Sequence, residues 1–140
     1  ENDPDSNFIY SQMSRRCPDT SLEKFMDSLQ QRAKISREWN KFFDKYPLIL
    51  CPITGDIPFP DLKDLESKVS FDLVFDSMLP QIAPPYMGLP GLSFATIQTK
   101  QNIPLGVQFI SRKFREDLLL NVAYDLENYY PKIEPVLPSF

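Results

Sequence analysis

Leu22, Phe25, Met26, Leu29, Ala33, Ser36, Trp39, Phe42, Phe43 and Tyr46 recur at steps of three and four residues. That is the period of a single helix face. Lys24, Gln31, Lys34, Glu38 and Lys41 fall on the opposite side. The start signal lies at Asp19-Thr20-Ser21-Leu22-Glu23, where Thr20 and Glu23 have capping-box spacing and Asp19 adds charge at the positive end of the dipole. Pro47 ends the helix by biasing Tyr46 away from helical geometry. The stripe reads as core, with Trp39 expected largely buried against the next element. That element is the unbroken apolar run Leu48-Ile49-Leu50-Cys51-Pro52-Ile53, which fits a strand buried on both faces. Thr54 to Pro60 contains Gly55, Pro58 and Pro60 and is expected to form an irregular surface or cleft loop.

Beyond a weakly patterned stretch, Phe71 to Leu79 has helical spacing and is expected to end near Pro80. Pro84-Pro85-Tyr86-Met87-Gly88-Leu89-Pro90-Gly91 is read as unable to form a regular element, because three of its residues lack an amide donor. Leu92 to Ile97 alternates as a strand does, Gln98 to Asn102 is a polar turn, and Leu105 to Ile110 is the partner strand. A turn this short makes the pair an antiparallel hairpin. A last helix opens at Phe114 to Asp117 and buries Leu118, Leu119, Val122, Ala123 and Leu126. The expected organisation is an irregular segment over residues 1–19, one domain over 20–128 and an extended tail over 129–140.

Composition narrows the chemistry. The chain has 140 residues, the size of one domain or a piece of a larger one. Its 42% hydrophobic share and 11 phenylalanines supply enough apolar mass for a core. It has no histidine, which excludes Ser-His-Asp and Cys-His catalysis and any imidazole metal site. A net charge of −4 without a basic block argues against nucleic acid and anionic membrane as partners. No run approaches the roughly 18 apolar residues of a membrane span. Cys17 and Cys51, 34 positions apart, read as ordinary thiols of a reducing compartment, so a cytoplasmic location is expected. Four glycines offer neither a Walker loop nor a dinucleotide fingerprint, so no cofactor and no metal are expected. The chain opens on Glu1 without methionine or signal-peptide pattern, as expected for an excised piece.

Four segments, in order, carry a resemblance. They are Trp39-Asn40-Lys41-Phe42-Phe43 running into Leu48 to Thr54; Gly88-Leu89-Pro90-Gly91-Leu92-Ser93; Pro104-Leu105-Gly106-Val107-Gln108; and Arg112 to Leu118 closing at Leu126-Glu127. Together they resemble the C-terminal portion of the amidase-signature family of serine hydrolases. The resemblance implies an α/β fold, a mixed sheet flanked by helices, of which this chain supplies one flank of an α/β/α sandwich. Departures mark a divergent member: Pro47 stands where the family often has Asp, Pro85 where it often has Asn, and the turn from Gln98 to Asn102 lacks the usual glycine.

The resemblance also implies what the chain lacks. The family's chemistry resides in a Gly/Ser-rich segment with a nucleophilic serine, a second serine in a cis peptide, and a lysine that relays the proton. None of Gly55, Gly88, Gly91 and Gly106 stands beside a serine pair, and neither Ser67-Lys68 nor Ser111-Arg112-Lys113 matches that triad. No catalytic residue is therefore assigned. The candidates for lining a substrate cleft are Ile53 and Thr54 past the end of a buried strand, and Tyr86 and Met87 on the Pro/Gly turn. Plain packing explains Tyr86 and Met87 equally well. Asp72 and Asp76, one helical turn apart, read as solvated charge, and Asp61, Asp64 and Glu66 as polar surface without calcium-loop spacing. The expected partners are a small-molecule amide for the parent protein, and either the missing catalytic half or a second copy. The alternatives are an amide-transfer subunit of a tRNA-dependent amidotransferase and a non-enzymatic binding module.

Overall fold

A computed structural model describes residues 3–100 and 103–130. Five α-helices and three strands run in the order α1 (Pro4–Arg16), α2 (Leu22–Lys45), β1 (Leu48–Pro52), α3 (Lys68–Ser77), α4 (Leu79–Met87), β2 (Gly91–Gln98), β3 (Pro104–Ser111) and α5 (Glu116–Tyr129). A single 3₁₀ turn, Lys63–Leu65, precedes α3.

The strands form one antiparallel sheet in the order β1-β3-β2, with β3 in the centre. The predicted hairpin is β2 and β3, pairing Gly91 with Ile110 through Gln98 with Pro104. Gly106 sits where a Cβ would lie 2.6 Å from the Phe94 carbonyl oxygen across the pair, so only glycine lets these strands approach. Gln108 and Ile110 turn toward α4 with Ile49 and Cys51 of β1, while α5 lies against β2 and β3. Helices thus cover both faces of the sheet, as an α/β flank requires.

The structure corrects the sequence reading in four places. The segment over residues 1–19, expected to be irregular, contains the helix α1. Asp3 accepts from the Asp5 and Ser6 amides at 3.3 and 3.2 Å, and Pro4 fills the first helical position, where no donor is needed. The helix is fixed by tertiary ion pairs. Arg15 and Arg16 both reach Asp72, Arg16 also reaches Asp76, and the Arg16 guanidinium stands 4.5 Å from the Phe75 ring centroid. No local period announces such pairing. The expected tail over 129–140 lies outside the described residues apart from Tyr129, which ends α5, and Tyr130, which caps it.

The second correction concerns Pro84 and Pro85, which stand inside α4. Pro80 occupies its first turn, where a missing amide costs nothing. Pro84 cannot donate to the carbonyl four residues back, which belongs to Pro80. The Gln108 Nε2 donates to that carbonyl oxygen at 3.1 Å instead. A side chain from the sheet therefore replaces the backbone bond that proline removes. Gly88, at φ 66°, then closes the helix in the left-handed region.

The third correction is β1. It is an edge strand with Leu50 62% exposed, not a strand buried on both faces. The fourth is the stripe of α2. The helix forms as expected, although Ser21 rather than Thr20 caps it, accepting from the Lys24 amide at 3.3 Å. Only Phe43 is buried and Trp39 is half-buried, while Leu22 is 78% and Phe25 53% exposed. The helix, about 36 Å long at 1.5 Å per residue, is held at its C-terminal end by an Asp44–Arg112 pair at 2.8 Å, and Trp39 there borders the same apolar space as Ile49, Met87 and Ile110. Its first half leaves Leu22, Phe25 and Met26 about half exposed or more.

Candidate substrate cleft

After Pro52 the chain leaves the sheet as Ile53-Thr54-Gly55-Asp56-Ile57-Pro58-Phe59. Three bonds shape this loop. The Gly55 amide donates to the Ser77 carbonyl at 2.7 Å, pinning the loop to the C-terminal end of α3. The Ile57 amide donates to the adjacent Asp56 carboxylate at 2.7 Å. Thr54 Oγ1 donates to the Asp56 carbonyl. A cavity of about 710 Å³ opens between the loop, the α3–α4 junction and the start of β3. Its size falls within the roughly 300–1,000 Å³ usual for small-molecule sites.

Ile53 and Thr54, just beyond the end of β1, line this cavity. Tyr86 and Met87 lie elsewhere. The Tyr86 hydroxyl donates to the Ser28 carbonyl at 3.4 Å and its ring lies 5.3 Å from the Arg32 guanidinium, so this exposed side chain ties α4 to α2. Met87 is buried and borders a separate apolar space of about 230 Å³ with Trp39, Ile49 and Ile110. Sequence reasoning missed Val74, Met78 and Gln81 from the α3–α4 junction, and Leu105 from β3. The apolar loop residues Ile57 and Phe59 had one usable signal, the Pro/Gly-punctuated stretch expected to be a cleft loop. The junction residues had none, because long-range folding brings them there.

The lining is chemically lopsided. Its apolar side chains include Ile53, Ile57, Phe59, Val74, Met78 and Leu105, and its one charged side chain among the described residues is Asp56. Ser77 Oγ is committed to the Val74 carbonyl at 2.7 Å. The half-buried Gln81 carboxamide has no hydrogen-bond partner among the described residues. No group of three or more Cys, Asp and Glu side chains gathers into a metal site among the described residues. No described helix is long and apolar enough to cross a membrane.

Comparison with known proteins places this architecture. A model of the Amidase family matches residues 9–120, most of the chain. The chain belongs to the amidase family. It is 34% identical over 110 residues to an indoleacetamide hydrolase of Bradyrhizobium japonicum, an alignment covering 76% of this chain and 23% of that protein. It is 35% identical over 99 residues to a glutamyl-tRNA(Gln) amidotransferase subunit of Treponema denticola, covering 69% of this chain and 19% of that one. Among solved structures, the glutamyl-tRNA(Gln) amidotransferase subunit from Thermotoga maritima superimposes with a TM-score of 0.62 at 27% identity, over 76% of this chain and 23% of that chain. A 6-aminohexanoate cyclic dimer hydrolase shares the fold, with a TM-score of 0.62 at 24% identity over 90% of this chain and 28% of its own. The chain thus spans between about a fifth and just over a quarter of the length of these relatives.

Proposed function

We propose that these residues form the C-terminal, non-catalytic flank of an amidase that hydrolyses carbon–nitrogen amide bonds, and that the cavity beyond β1 supplies one wall of its substrate cleft. The observation that carries this reading is the family match over residues 9–120 in a chain that offers no nucleophile segment of its own. Hydrolysis by this family needs a serine activated through a second serine and a lysine. The flank contributes binding surface and the apolar body against which the catalytic half packs. Two free cysteines support a cytoplasmic setting.

The amidotransferase chains among the relatives favour a second reading, an amide-transfer subunit working with partner chains. Sequencing the gene upstream of the Glu1 codon tests the proposal. An in-frame Gly/Ser-rich segment with a lysine is the expected result. An unrelated upstream sequence would overturn it in favour of a binding module built on this flank.

A further inference from the structure

We propose that the cavity beyond β1 takes an uncharged ligand with an apolar body, an aryl or branched-alkyl amide, and rejects amides that carry a free carboxylate. This rests on the reading of that cavity as a substrate cleft and goes one step further, to the class of substrate.

Three observations combine. Six apolar side chains, from Ile53 to Leu105, line the wall together with Pro52, Pro58 and Pro104, so transfer of an aromatic or branched-alkyl group from water is favourable. Among the described residues no lysine or arginine lines the cavity, and the one charged side chain on its wall is the Asp56 carboxylate. On this wall an anionic ligand would lose hydration, gain no cation and face a like charge. Among the described residues the Gln81 carboxamide, which also borders a neighbouring cavity with Gln108, is an uncharged side-chain group on this wall without a hydrogen-bond partner. It offers one acceptor and one donor pair, which match a neutral amide. An amide nitrogen can donate to its oxygen while the amide carbonyl accepts from its nitrogen. A carboxylate can use only the donor half.

The test is a methyl and amide NMR titration of the 140-residue chain with phenylacetamide, with phenylacetate as its charge-bearing match, and with glutamine. Phenylacetamide is expected to move the signals of Ile53, Ile57, Val74 and Met78, and to bind at least about tenfold more tightly than phenylacetate or glutamine. Gln81→Leu should weaken phenylacetamide severalfold and phenylacetate less, because the carboxylate loses one hydrogen bond where the amide loses two. Ile57→Lys, at an exposed position, should narrow or reverse the preference by adding the missing cation. Equal binding of phenylacetate or glutamine at those same signals overturns the charge selectivity and leaves the cleft standing. No saturable shift at those residues with any of the three compounds overturns the cleft reading, and this inference with it.

Discussion

Gln108 should carry a stability contribution that depends on a proline in another element. Its Nε2 donates to the Pro80 carbonyl oxygen at 3.1 Å and touches Cys51 Sγ at 3.4 Å, and the residue is 9% exposed. Gln108→Leu keeps similar bulk and strands the Pro80 carbonyl inside the α4–sheet contact. An unsatisfied buried acceptor costs about 1–3 kcal/mol, and that is the expected loss. Pro84→Ala restores the amide that an α-helix would aim at the same carbonyl. In that background Gln108→Leu should cost about 1 kcal/mol less, whatever Pro84→Ala does by itself. Urea denaturation followed by the fluorescence of Trp39, the sole tryptophan, reads out all four proteins. Trp39 borders the same apolar space as Pro80, Pro84 and Met87 of α4, so it reports on this contact. Equal costs of Gln108→Leu in both backgrounds, within about 0.5 kcal/mol, would refute the claim that Gln108 substitutes for the missing backbone donor.

Further outcomes follow from the same geometry. Gly106→Ala should destabilise the chain by about 1–3 kcal/mol in the same urea assay, because its Cβ meets the Phe94 backbone rather than a movable side chain. The Arg16 and Arg15 guanidiniums, by hydrogen bonding, hold the Asp72 carboxyl below the usual carboxylate range. This contribution is present above the ordinary value of about 3.9 and is lost as pH falls through the depressed one. Amide exchange protection in α1 should therefore drop at strongly acidic pH and at high salt before that of β3 does, and Asp72→Asn should reduce the pH effect to what the Asp3 cap and the Arg16–Asp76 pair contribute. Purified chain should release no ammonia from simple aliphatic or aromatic amides. Turnover that survives removal of contaminants would show a nucleophile within these residues.

What could be read from the sequence and what could not separate along one physical line. α2, the β2–β3 hairpin and α5 were legible because each writes its period into consecutive residues. The strand-end position of Ile53 and Thr54 was legible for the same reason. α1 was not, because its anchors Asp72 and Asp76 lie more than 50 residues away. α4 was not, because two prolines argue against a helix until Gln108, from a different element, supplies the missing donor. The burial of the α2 stripe was misjudged for a further reason. A period states which face is apolar and is silent on whether these residues contain anything to cover it.

The uncovered face is the most direct consequence of the flank reading. Leu22, Phe25, Met26 and Leu29 stand 78%, 53%, 49% and 39% exposed along one side of α2. Apolar patches of this kind rarely stay open on a monomer, and β1 and β2 leave two sheet edges besides. Light scattering across a dilution series at fixed salt, with a hydrophobic dye added in parallel, measures whether the chain can stand alone. Self-association or dye binding that Phe25→Asp and Leu29→Asp abolish is the predicted result. A monomer mass at every concentration without dye binding would contradict the account.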